Sequence, residues 1–115
     1  MKQDDAIDAF SALAHETRLA VFRLLVREGP KGVPALEIAR RLTVKPSTLS
    51  GHLSILKRAE LVTATRRQKE ILYAPNFASV DSLVRFLLQD CCGGDATACA
   101  PDASTPAGLI VVKDS

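Results

Sequence analysis

Between Pro34 and Ala59 two helix-forming segments are joined by only three residues, and this limits the fold more than any other feature. The first segment, Pro34 to Leu42, opens on a proline that a first helical turn tolerates. It sets Leu36, Ile38, Ala39 and Leu42 inward. Thr43-Val44-Lys45 is the link. The second segment opens on Pro46 and runs to about Ala59, with Leu49, Leu53 and Leu56 as its buried stripe. The exposed positions of its first half are Ser47, Thr48, Ser50, Gly51, His52 and Ser54. Several of these are poor helix formers, where Glu, Lys or Ala would make a more stable surface. Small polar side chains leave room for the helix to enter a groove.

The flanking segments complete a small domain. Residues 5–14 place Ala6, Ile7, Phe10, Leu13 and Ala14 at helical spacing. Glu16 to Arg27 is a second helix, with Arg18, Arg23 and Arg27 outward and Gly29-Pro30 as its stop. Lys31-Gly32-Val33 reads as a short connection. Val62 to Arg66 and Ile71 to Ala74 are rich in strand formers, which predicts a hairpin with Arg67-Gln68-Lys69-Glu70 at its tip and Pro75 closing it. Phe77 to Asp90 is a final helix whose apolar face is Val80, Leu83, Val84, Leu87 and Leu88. The expected class is therefore mainly α with a small β-hairpin. Residues 1–90 form the folded domain, and 91–115 form a flexible Gly-, Ala-, Pro-, Asp- and Ser-rich tail broken by Leu109-Ile-Val-Val112.

Charge is unevenly spread. The net charge of +2 conceals a middle segment, residues 33–75, with eight basic side chains against three acidic ones, while residues 76–115 carry two basic and five acidic. A positive block between a neutral and an acidic segment marks a surface for a polyanion. Helix, tight link, helix with a small polar face, then a basic hairpin: together these describe a winged helix-turn-helix. The second helix of such a unit lies in the major groove of duplex DNA and the hairpin reaches phosphates. Lys45, Ser47, Thr48, Ser50, Gly51, His52, Arg66, Arg67 and Lys69 are the expected DNA-facing residues. His15 reads as a packing or capping residue at the second helix.

Other classes fit poorly. With 115 residues the chain makes one domain, and no apolar run approaches the ~18 residues a membrane span requires. The amino terminus lacks a basic segment followed by an apolar stretch, so a cytoplasmic location is expected. Four Phe, one Tyr and no Trp leave little for base-stacking platforms. No histidine lies near the cysteines to activate a nucleophile, and no Gly-rich phosphate loop is present, which argues against an enzyme.

Three stretches are more specific still: Ser11-Ala-Leu-Ala-His-Glu-Thr-Arg-Leu19, Lys45-Pro-Ser-Thr-Leu-Ser-Gly-His-Leu53 and Leu56-Lys-Arg-Ala-Glu-Leu-Val62. In order and spacing, over about residues 6–88, they resemble the arsenic-repressor (ArsR/SmtB) family of metal-responsive winged-helix repressors. The resemblance implies a homodimer joined through its first and last helices, with one recognition helix for each half of a partly palindromic operator. It also implies that binding of a metal loosens the hold on DNA. Ser50 and His52 occupy the family's Ser-x-His-Leu positions.

The family places its effector sites in different elements. Its Cys-Val-Cys arsenic motif in the helix before the recognition helix has no counterpart in Val33 to Leu42, and its Asp/His zinc site has none in residues 77–90, which hold no histidine. What remains is Cys91, Cys92 and Cys99, a tail that resembles arsenic repressors with a carboxy-terminal ligand triad. Three cysteines, an odd number, suit metal binding or redox sensing in a reducing compartment better than a disulfide scaffold. Three soft thiolates suit a thiophilic ion, and trivalent arsenic or antimony takes three sulfurs in a pyramid. Gly93-Gly94 would let the chain turn so that Cys99 joins Cys91 and Cys92. Structural zinc prefers four ligands. Asp90, Asp95 or Asp102 could complete a site for zinc, cadmium or lead, and a thiol redox sensor on the same fold is the other alternative. As(III), or Sb(III), is the expected inducer.

Overall fold

The computed structural model describes residues 1–89. The chain runs α1 (Gln3–Leu13), α2 (Glu16–Glu28), β1 (Val33–Pro34), α3 (Ala35–Leu42), α4 (Pro46–Arg58), β2 (Val62–Arg67), β3 (Glu70–Pro75) and α5 (Phe77–Leu88). Each helix lies within a residue or two of its expected bounds. Cys91, Cys92, Cys99, the boundary after residue 90 and the segment Leu109–Val112 lie outside the described residues.

Helix ends explain the break between the first two helices. Asp4 and Asp5 occupy the first turn of α1, where carboxylates suit the positive end of the helix dipole, and Asp5 accepts a hydrogen bond from the Lys2 amide at 3.1 Å. His15 caps α2 as the sequence predicts, its Nδ1 accepting the Thr17 N–H at 3.1 Å. Arg18, expected to point outward, instead turns back. Its Nε donates to the Ala12 carbonyl at 2.6 Å and its Nη2 to that of Ser11 at 3.5 Å, so it serves two carbonyls at the end of α1.

The sheet is larger than a hairpin. Val33 and Pro34, read from sequence as connection and first helical turn, form β1, which pairs with β3 through Val33↔Tyr73 and Pro34↔Leu72. The order is β1-β3-β2, antiparallel throughout. Val33 is buried against the core, and Pro34, still extended at ψ 147°, caps α3 instead of starting it. Gly32 makes this approach feasible: its φ is +88°, and a Cβ there would sit 3.0 Å from the Leu72 Cβ. At the other end of the sheet Arg67 pairs with Glu70, so the tip is the two-residue turn Gln68-Lys69, with Gln68 at φ +56°.

The core joins Val21, Leu24 and Leu25 of α2, Ile38 of α3, Leu49, Leu53 and Leu56 of α4, Leu61, Val62 and Leu83. Leu36 is a correction: it is 71% exposed, because it lies about 200° around α3 from the buried Ile38. In α1 the small residues Ala6, Ala9 and Ala12 are buried, which turns Ile7 and Phe10 to the outside. The last helix ends at Leu88, short of the expected Asp90, and Asn76 caps its start by accepting the Ser79 N–H at 3.2 Å.

Candidate nucleic-acid interface

The recognition helix begins with an uncapped turn. Lys45 precedes it in extended conformation without a side-chain cap, Pro46 removes one amide donor, and no acidic residue occupies the first turn. First-turn N–H groups have no partner within the helix, so those of Ser47 and Thr48 remain for an acceptor from outside. A phosphate oxygen is such an acceptor. Ser47, Thr48, Ser50, Gly51 and Ser54 are all exposed, while Leu49, Leu53 and Leu56 hold the opposite side in the core. Apart from its chain neighbours and the backbone of its own helix, no atom lies within 4 Å of the position a Gly51 Cβ would take. The fold itself therefore gives no reason for a glycine there.

His52 departs from the expectation. It stands three residues after Leu49 and four before Leu56, at the edge of the buried stripe, and its ring packs against His15 with centroids 4.6 Å apart, tilted by 45°. Its Nδ1 is buried and has no hydrogen-bond partner. Burial, then the nearby charges of His15 and Arg18, hold this imidazole below the usual histidine range. Sequence spacing carried the signal, but the small polar character of its neighbours outweighed it.

The positive block resolves into two parts. Arg40 and Arg41 both donate to Glu37, through Nε at 3.1 and 3.0 Å, and Arg41 also reaches Glu28 on α2, to which Lys31 pairs at 3.7 Å. The two guanidinium groups, Arg40 first, hold the Glu37 carboxyl below its ordinary range. These charges tie α3 to α2 and are already satisfied. Lys45, Arg66, Arg67 and Lys69 are exposed and, among the described residues, make no ion pair. The hairpin carries the last three at its tip, and its strand β2 packs on α4. Free cations thus occur at the start of the recognition helix and on the wing beside it.

A helix-turn-helix domain family matches residues 13–64. An ArsR-like transcriptional regulator from Rhodococcus sp. RHA1 is similar over 84% of this chain and 89% of its own, at 27% identity and a TM-score of 0.70. NolR from Sinorhizobium fredii is 30% identical over 79% of this chain and 87% of its own, with a TM-score of 0.59. The chain belongs to the ArsR family of winged helix-turn-helix transcriptional regulators. Also similar is a homodimeric winged helix-turn-helix DNA-binding domain from Mycobacterium bovis, described as a possible ArsR-family transcriptional regulator, 27% identical over 76% of this chain and 81% of that domain, with a TM-score of 0.61. Among curated proteins none matches the chain. ArsR-family chains regulate transcription, so this one is a regulator and not an enzyme. No helix among the described residues is long and apolar enough to cross a membrane.

The wing makes a measurable prediction for such a regulator. Each phosphate contact contributes a slope of about 0.9 to the fall of log affinity with log salt. Replacing Arg66 and Arg67 together by Ala is expected to lower that slope by about 2 per subunit and to weaken binding evenly across duplex sequences. Affinity measured from 50 to 300 mM salt checks it; an unchanged slope would remove the wing from the interface.

Proposed function

We propose that this ArsR-family chain is a repressor that holds operator DNA as a homodimer and releases it when As(III), or Sb(III), is captured by Cys91, Cys92 and Cys99. The observation that carries the DNA part is the recognition face itself: uncapped amides, small side chains and a glycine with open space around it. Two such helices, about one DNA turn or ~34 Å apart, suit successive major grooves. Dimerisation is supported by the large apolar residues that one subunit leaves exposed on its first and last helices.

The inducer follows from the donor set. Three thiolates within nine residues match the three sulfurs that trivalent arsenic takes, with no fourth ligand required. The triad begins three residues after the end of α5, a helix of the proposed interface. Drawing the thiols on both sides of residues 93–98 to one centre therefore acts on the element that sets the spacing of the two recognition helices.

Equilibrium dialysis of the full chain against arsenite, antimonite, zinc and cadmium tests the assignment. The expected result is one As(III) per subunit, with affinity lowered at least about tenfold by each of Cys91→Ser, Cys92→Ser and Cys99→Ser. Preference for zinc or cadmium, or relief of DNA binding by peroxide with arsenite inert, would overturn it in favour of a divalent-metal or redox sensor.

A further inference from the structure

The recognition helix is joined to the α1–α2 junction by a contact between two titratable rings. His52 of α4 packs on His15, the cap of α2, and Arg18 in the first turn of α2 is fixed nearby by the Ala12 and Ser11 carbonyls. The charges acting on His52 are His15 and Arg18, both from α2; α1, α3 and β2, which also pack on α4, contribute none among the described residues. A proton on His52 would thus place a cation beside a guanidinium held in place, on a ring whose Nδ1 is shut away from water.

We infer that His52 is a positioning residue, not a base reader: its neutral ring, packed on the His15 ring, sets the seat of the recognition helix, and its protonation unseats that helix and weakens DNA binding. The direction follows from burial. The packed ring is held below the usual histidine range, so the packed state binds fewer protons than the released one. Its stability is complete above the ordinary histidine value of about 6.5 and declines as pH falls below it. A histidine on the DNA face would act in the opposite sense, since a new positive charge beside phosphate tightens binding.

The inference rests on the chain being a DNA-binding regulator, and the test separates the two. Full-length protein is titrated with a duplex selected at pH 8 from a random-sequence pool, at constant salt, from pH 8 to 5.5. Wild type is expected to weaken about three- to tenfold. His52→Gln is expected to show little pH dependence whatever its starting affinity. His15→Asn, which keeps an oxygen for the Thr17 amide, is expected to show a shallower one. Tighter binding on acidification, or the wild-type slope in His52→Gln, would overturn the proposal. If no duplex binds at pH 8 the regulator reading fails, and urea unfolding between pH 7.5 and 5.5 still decides the contact: acid destabilisation lost in His52→Gln supports it, and destabilisation retained refutes it.

Discussion

Gly51→Ala is expected to make the protein more stable and a poorer DNA binder. Glycine inside a helix costs roughly 0.5–1 kcal/mol relative to alanine, and the added methyl group meets nothing within 4 Å. At about 4–8 °C per kcal/mol for a domain of this size, the melting temperature should rise by several degrees. In the complex the same methyl group would stand between the helix and a groove wall. Crowding of this kind costs typically 1–3 kcal/mol, so affinity should fall roughly tenfold or more. Calorimetry paired with a binding isotherm separates the two effects. A stabilised variant with undiminished affinity would mean that Gly51 does not face DNA.

The second large effect concerns assembly. On α5, Val84, Leu87 and Leu88 are 43, 56 and 57% exposed, and on α1 Ile7 and Phe10 are 54 and 42% exposed. The two helices pack together, so these residues belong to adjoining surfaces of one subunit. Leu87 lies outside the core, and Leu87→Glu should leave a single subunit folded, with unchanged helicity by circular dichroism. In an isologous dimer the substitution occurs twice and replaces two leucines, each contributing about 1.5–3 kcal/mol when buried, with charges that resist burial. Sedimentation at micromolar concentration should show wild type as a dimer and Leu87→Glu as a monomer. Loss of the second recognition helix should reduce duplex affinity by at least about a hundredfold, the equivalent of 2.8 kcal/mol. A dimer that survives the substitution would move the interface elsewhere.

Helical periodicity made most of this architecture legible. Leu49, Leu53 and Leu56 define a single buried stripe, and the hairpin strands need each moved by only a residue. What escaped depended on distant parts of the chain. Val33 becomes a strand only because Tyr73 lies beside it, forty residues later and beyond any local pattern. Apolar spacing alone could not separate Ala9, which faces the core, from Phe10, which faces outward, because a helix that packs on two partners has two apolar faces. Arg18 looked like surface charge, yet it caps carbonyls left open by the break at Ala14 and His15. His52 lies on the edge of the leucine stripe, and its partner comes from another helix. The charge block was a correct sum of unlike parts, since Arg40 and Arg41 are engaged with Glu37 while Lys45, Arg66, Arg67 and Lys69 make no ion pair among the described residues.

The coupling between thiols and DNA is the centre of the account, and one titration addresses it. Arsenite is added to a preformed complex of the full chain and its selected duplex, with bound arsenic counted in the same sample. Allosteric coupling of about 1–3 kcal/mol predicts that duplex affinity falls roughly 5- to 150-fold as one arsenic binds each subunit, and that the Cys99→Ser protein holds its duplex throughout. Arsenic bound at full stoichiometry on a complex whose affinity does not change would contradict it.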